Sequence, residues 1–469
     1  MKAKVNCRRT LLMVCWILLA TAGIGRSQQG TASGEMSVAM LTKQNGANTN
    51  PGAPETITLQ DAIQRAQKIY SQYLSTVSDA QSAREDTRQA RSAMLPSFGY
   101  TQQFIGTEGD GKTPSGRYVT QDGVHVYRLW GVMHEDMPAG FFTGASYKRA
   151  KAVAALAEVK QEIATRGLVV TVTKNFYGLV AAQRKYANSQ LAADQALRFL
   201  DNANKLERGG EAAHADVVKA QLQLDQQKIA LREAELAMNN ARLALAVLLS
   251  PSFDEDFSAI DDMDHLPVLP AMPELRAQAA RENPDIRAAV QTLLAAKADV
   301  SIARAGFFPT FSLDAVYGIE ANAIALHSAA AAYKDLGPLP NLGYFVTASA
   351  NVPIWNWGIT RSKLKQAEIR QTQAKIDLTQ TQREALSNFY SAYNEAEAAR
   401  SEVSMLRDAA DHAAESLRLT GLRYQAGEAT AQEIVDAQNA LAAARNSFDD
   451  GEARFRLAIA TLQTLTGQF

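Results

Sequence analysis

Tyr424-Gln-Ala-Gly427-Glu-Ala-Thr430-Ala-Gln-Glu433-Ile-Val-Asp436-Ala437-Gln438 reads as the tip of a long helical hairpin. Tyr424 closes an incoming helix and Gly427 supplies the left-handed turn. Thr430 and Glu433, three apart, make the capping box that opens the outgoing helix. A strict seven-residue series follows: Ile434, Leu441, Phe448, Phe455 and Leu462. A second series of mostly small residues runs beside it: Ala437, Ala444, Gly451, Ala458 and Leu465. Large and small side chains alternating at a and d positions are what knobs-into-holes packing needs. The stretch therefore predicts a coiled-coil hairpin with an exposed tip.

Residues 207–224, Glu-Arg-Gly-Gly210-Glu-Ala-Ala-His-Ala-Asp216-Val-Val-Lys219-Ala-Gln221-Leu-Gln-Leu224, match this tip at an offset of 217. The heptads recur there as Val217, Leu224, Leu231, Met238 and Leu245, beside Ala220, Gln227, Ala234, Ala241 and Leu248. Upstream the offset is 213: Ala90-Arg91 and Pro96-Ser-Phe98 match Ala303-Arg304 and Pro309-Thr-Phe311, and Phe176-Tyr177 matches Phe389-Tyr390. One supersecondary unit of roughly 210 residues is thus used twice. The first copy spans 56–250 with its tip near 207–213, the second 272–467 with its tip near 424–430, and residues 251–271 link them.

The N-terminus has the order of a secretory signal peptide: Lys2, Lys4, Arg8 and Arg9, an apolar run from Leu11 to Ala20, then Ala20-Thr-Ala22. Cleavage is expected after Ala22 or nearer Ser27, leaving residues 23–55 as a polar leader. Cys7 and Cys15 both fall in the removed part, and Cys15 lacks the small preceding residue expected of a lipidated cysteine. No later run reaches the ~18 apolar residues of a spanning helix. A net charge of −1 gives no nucleic-acid footprint. The six histidines stand at no metal-ligand spacing, and no nucleophile motif or phosphate loop occurs. The expectation is no metal, no cofactor and no enzyme. Carboxylates along the helices read as solvated faces.

In chain order, a helix is expected from Thr56 to Leu95, stopped by Pro96, then strands over 97–105 and 124–137. The second of these has the poorest pattern, because Arg128, His134, Glu135 and Asp136 interrupt either face. A helical rod from 142 to 206, on the order of 100 Å long, leads to the first tip. In the second copy, Phe311, Leu313, Ala315, Tyr317 and Ile319 share one strand face, and Ser312, Asp314 and Gly318 the other. Residues 344–354 alternate likewise, with Tyr344, Val346, Ala348, Ala350, Val352 and Ile354 opposite Thr347, Ser349 and Asn351. Strands of ~9–11 residues with one apolar face fit a bilayer-spanning barrel, although a soluble sheet packed on one face has the same pattern. Aromatic residues near the strand ends (Phe98, Tyr100, Phe311, Tyr344, Trp355, Trp357) favour the membrane. Four strands cannot close a barrel, and open edges are not tolerated in lipid, so two or three chains must contribute. The fold class is therefore mainly α with a small β part: duplicated helical hairpins forming a homo-oligomeric tube, topped by a β-barrel with four strands per chain.

The chain resembles the TolC-type outer-membrane efflux channels, the outer membrane efflux protein family, over roughly residues 56–467. The resemblance rests on the duplicated helix–Pro–strand junctions and both tips, most specifically Tyr424-x-x-Gly427…Glu433-x-x-Asp436-Ala437-Gln438…Leu441. It implies a homotrimer in the Gram-negative outer membrane, with the helical part in the periplasm. The partners it implies are outer-membrane lipid, a periplasmic adaptor (membrane fusion protein) and an inner-membrane pump, the whole exporting drugs, metals or proteins. It also implies that Tyr424, Glu433 and Asp436 form the periplasmic gate and pore ring, and that the tips, Arg208-Gly209-Gly210 and Gln425 with Gly427, dock the adaptor. Where some members carry an arginine two residues after the turn glycine, this chain has Ala429, so Gln425 or Arg423 must supply the closing contact. The alternative function is a periplasmic adaptor or structural coiled-coil protein without a pore.

Overall fold

The computed structural model describes residues 55–106, 125–138, 140–251, 257–321, 324–331 and 338–467. The expected signal peptide, the leader up to residue 54 and the polar loop over 107–124 lie outside the described residues.

The expectation of one helix over 56–95 needs correction. Residues Glu55–Ile57 form a short strand, β1, and the helix is two: α1 (Leu59–Ile69) and α2 (Ser71–Ser92). Thr58 and Asp61 cap α1 reciprocally. The break is at Tyr70, whose backbone is extended (φ −66°, ψ 110°). The second copy breaks at the matching place, between α5 (Met272–Glu282) and α6 (Pro284–Ala305), and there the cause is legible: Pro284 cannot continue α5. Asn283 then caps α6, its side chain accepting from the backbone N–H of Asp285 at 2.9 Å. The link between copies also contains a strand, β4 (Phe257–Ala259), paired in parallel with β1.

The long legs are α3 (Ala145–Gly209, 65 residues) and α7 (Ile359–Gln425, 67 residues), each followed by a 36-residue return helix, α4 (His214–Leu249) or α8 (Ala431–Thr466). Glycines in the left-handed region start both legs, Gly144 at φ 58° and Gly358 at φ 85°. The hairpins bury separate cores. The first gathers Phe176, Leu179, Leu245 and Leu249 around Ile57 and Ala62 of the first copy and Phe257 and Met263 of the link. The second gathers Phe389, Val403, Phe455 and Leu462 with Leu275. Phe176-Tyr177 and Phe389-Tyr390 thus act in packing.

Beyond the legs lies an antiparallel four-stranded sheet in the order β2 (Ser97–Gly106), β3 (His125–Met137), β5 (Thr310–Ala321), β8 (Leu342–Asn351). A small hairpin, β6 (His327–Ala331) with β7 (Pro338–Pro340), interrupts the run from β5 to β8. The register resolves the poor pattern of β3. Arg128 stands opposite Glu320, Trp130 opposite Gly318 and His134 opposite Asp314, while Asp136 faces Ser312. These charges are spaced by even numbers, so all of them lie on the polar face with Ser97, Thr101, Thr347 and Ser349. Of the four residues expected to interrupt, Glu135 alone falls on the other face. That other face carries Phe98, Tyr100, Phe104, Tyr127, Leu129, Met133, Leu313, Tyr317, Tyr344 and Val346. It is bare: Phe98 is 78% exposed and Tyr344 81%.

One position in the sheet admits only glycine. A Cβ on Gly318 would stand 2.0 Å from the Leu129 carbonyl oxygen, so β3 and β5 approach there as no side chain would allow. At the helix end of the sheet, Trp355 and Trp357 pack edge to face, 5.8 Å between centroids, and Trp357 is 86% exposed. Trp357 also holds φ 54°, uncommon for a residue with a Cβ.

Candidate functional site: the hairpin tips and a buried charge cluster

Both tips close by the same device. The N–H of Glu428 donates to the Arg423 carbonyl at 2.8 Å and that of Glu211 to Leu206 at 2.8 Å, each across a left-handed glycine (Gly427, φ 75°; Gly210, φ 78°). This six-to-one bond is the Schellman closure. Arg208 and Gly209 end α3 and Gln425 ends α7, so the docking candidates all sit on the turns.

Tyr424 does not point away from the tip. Its ring lies edge-on to Phe199, 5.4 Å between centroids, within a cluster that joins Ala203, Ala220, Ala431 and Ile434 from both hairpins. Its hydroxyl is buried with no hydrogen-bond partner among the described residues, and burial, with Asp216 nearby, raises its pKa. Glu433 is engaged locally. It accepts from the Thr430 N–H at 3.2 Å, while its own N–H donates to Thr430 Oγ1 at 3.3 Å, completing the capping box. Arg423 reaches Glu433 Oε2 at 3.3 Å and the Glu428 carbonyl at 3.1 Å. Of the two substitutes expected for a basic residue at position 429, it is Arg423 that contacts the acid. The Thr430 backbone bond is the main reason the Glu433 pKa is lowered, so the carboxylate stays ionised. Asp436, three residues on, accepts from Gln432 at 2.9 Å. Tyr424 is therefore turned into the inter-hairpin core, whereas the two acids lie at the exposed start of α8.

A second charged site escaped sequence reasoning. Acids on the helices were expected to be solvated, but Glu452 is 0% and Asp449 5% exposed. Arg184 of α3 joins them to the link: its guanidinium contacts Glu452 at 2.7 Å, Asp264 at 2.8 Å and both oxygens of Asp261. Asn188 donates to Asp449 at 2.8 Å. Arg456 of α8 donates to the carbonyls of Asp262 and His265 and stacks 5.2 Å from the Tyr177 ring. Burial pushes the Glu452 carboxyl up to about 6, against the pull of Arg184, and raises Asp449 too. The available signal was position: Asp449 and Glu452 fall between Phe448 and Phe455, inside the heptad stripe that packs. Among the described residues, no group of histidines, cysteines and carboxylates could hold a metal ion.

The second copy matches the outer membrane efflux protein family over residues 275–468. Those residues are an outer membrane efflux protein domain. That domain contains α6, β5, β8, α7, α8 and the tip at Gly427; the first copy repeats its architecture outside the matched range. Among curated relatives, "Cation efflux system protein CusC" of Escherichia coli (strain K12) is 27% identical over 295 residues, 60% of this chain and 60% of the relative. The match thus spans about three fifths of that relative's length. "Pyoverdine export outer membrane protein OpmQ" of Pseudomonas aeruginosa is 24% identical over 430 residues, 89% of this chain and 85% of OpmQ. The fold is that of the Campylobacter jejuni CmeC outer membrane channel, with a TM-score of 0.73 at 16% identity over 87% of this chain and 85% of that one. The open state of the Neisseria gonorrhoeae MtrE outer membrane channel gives 0.72 at 20% identity, over 87% and 88%. The efflux-protein domain and its repeat therefore share one channel fold.

Proposed function

We propose that this chain is the outer-membrane exit duct of a multi-component export system. Copies of the chain close their sheets into a barrel in the outer membrane and their hairpins into a periplasmic tube. The observation that carries this reading is the sheet: its register sorts every charge of β3 except Glu135 onto one face and leaves a bare aromatic and aliphatic face on the other. A soluble sheet would cover that face with its own helices, and none packs there. Exposed Phe98, Trp355 and Trp357 at the helix end belong at a membrane–water interface. Three copies give twelve strands, a bore wide enough to stay open where eight would fill with side chains.

Within that duct, Glu433 and Asp436 ring the periplasmic mouth, and Tyr424 holds the second hairpin against the first. The turns at Arg208-Gly209-Gly210 and at Gln425 and Gly427 receive a periplasmic adaptor, which couples the duct to an inner-membrane pump. The relatives' names support transport as the task and chemistry on a substrate as no part of it: one belongs to a cation efflux system, another exports pyoverdine.

The test uses the full chain reconstituted in vesicles whose phospholipids carry bromine on the acyl chains. Fluorescence of Trp355 and Trp357 is expected to be quenched from the lipid, with the protein migrating unheated as an oligomer. A monomer whose tryptophans are all quenched by aqueous iodide and none by brominated lipid would sink the proposal.

A further inference from the structure

The sheet has two open edges, β2 and β8, and the chain contains a template for the joint between them. Pairing β2 with β3, and β5 with β8, happens inside a copy of the repeat; pairing β3 with β5 joins one copy to the next. A second chain placed beside the first continues the same alternation, so the joint between β8 and the neighbour's β2 repeats the joint between β3 and β5.

The register follows from the strands already paired. Ser97 stands opposite His134, and its counterpart Thr310 stands opposite Asn351. Superposing β2 on β5 therefore carries His134 onto Asn351. His134 faces Asp314 of β5, and Asp314 corresponds to Thr101 of β2. We infer that β8 pairs antiparallel with β2 of a neighbouring copy, with Asn351 directly opposite the neighbour's Thr101.

Side chains agree with this alignment. On the polar face it sets Ser349 against Gln103 of the neighbour, and on the bare face Ala348 against Phe104 and Ala350 against Gln102. Slips by one residue are excluded, because they would turn the aromatic face inward. The alignment also explains the end of β8. In the first copy, Glu135 to Met137 run past the start of β2 and pair with β5 alone. Their counterparts are Val352 to Ile354, which no strand covers among the described residues; Ile354 is 89% exposed. In the joint they extend β8 against Tyr100 to Phe98 of the neighbour. Pro353 fits a stretch with a strand on one side only, since it has no N–H to offer a second. The sequence repeat alone, read at its offset of 213 throughout, gives a rival register with Thr347 opposite Thr101. The two differ by four residues.

This inference rests on the barrel reading above, and one experiment separates the two. Thr101→Cys is combined in one full-length chain with Asn351→Cys, Ser349→Cys or Thr347→Cys, and outer membranes are oxidised. Residues 101 and 351 of one chain lie on opposite edges, about 14 Å apart at ~4.8 Å per strand, too far for an internal disulfide. The Asn351 pair is expected to give covalent oligomers on non-reducing denaturing gels at least tenfold more abundantly than the Thr347 pair. Stronger linking through Thr347 or Ser349 overturns the register and leaves the barrel standing. If no pair links while each single cysteine variant still reaches the outer membrane, the edges do not meet and both ideas fall.

Discussion

Arg184→Met should loosen the link between the two copies, and the geometry fixes how much. Arg184 is the close cation for four carboxylates of very different exposure. Asp261 and Asp264 are 40% and 77% exposed in their side chains, so losing Arg184 costs them little. Glu452, fully buried, would keep Arg407 at 3.8 Å, and Asp449 would keep Asn188. Breaking one side of a buried ion pair costs about 3–5 kcal/mol, and these residual partners place the variant near the lower end, ~3 kcal/mol. Opening of the link is then about a hundredfold more frequent, at 1.4 kcal/mol per tenfold. Chymotrypsin cleavage at Phe257 and Leu266, in the regime where cutting tracks the open population, should accelerate by the same factor. The pH dependence has a definite sign. Glu452 is raised from 4.5 to about 6, so its contribution to stability is complete below 4.5 and is lost as the pH rises through 6. Removing Arg184 raises it further. Cleavage of the variant, normalised to an unfolded substrate, should therefore slow at least fivefold between pH 8 and pH 6. Adding Glu452→Gln should restore most of the resistance. If the double variant is cut as fast as Arg184→Met, the buried carboxylate is not the source of the cost.

Gly318→Ala should abolish oligomer assembly, because its Cβ would enter the Leu129 carbonyl; Gly343→Ala, with open space at that point, should assemble normally on unheated gels. Val346→Arg, on the bare face, should lower the stability of the membrane-inserted form by about 2–4 kcal/mol if it sits near the bilayer midplane, measured by urea titration in vesicles. Glu433→Gln with Asp436→Asn should remove cation selectivity and block by trivalent cations in planar bilayers, and retention of both would exclude these acids from the pore mouth. Gly427→Val should abolish export while leaving the oligomer intact, since φ 75° strains any β-branched residue at the adaptor-facing turn.

The repeat, both tips and the second-copy strands were legible because each rests on short-range rules. Thr430 and Glu433 sit three apart, glycines mark the turns, and residues 311–319 alternate without interruption. The break at Tyr70 carries no local mark, yet the aligned Asn283-Pro284 held the answer one repeat away. Reading β3 failed for a different reason. Counting Arg128, His134, Glu135 and Asp136 as interruptions ignored that three of them share parity, and only the pairing with β5 turns that parity into a face. The Arg184 cluster was illegible in principle. Its members come from α3, the link and α8, up to 268 residues apart, and a charged residue looks the same in sequence whether water or a guanidinium covers it. For the tip, the residues were readable but their engagement was not: that Arg423 reaches Glu433 depends on the turn geometry.

The four-residue turns at Gly210 and Gly427 have a kinetic consequence. Each long leg meets its return helix starting from residues a few positions away, so closure begins at the tip with almost no loop entropy and proceeds up the hairpin. The sheet is the reverse case, since His134 finds Asp314 across 180 residues of chain. Contacts this distant form late. The strands with bare aromatic faces consequently wait, unpaired and exposed to water, while both hairpins are already complete. A newly exported chain would pass through an intermediate with finished legs and a sticky, unassembled head, the stage at which aggregation competes with insertion.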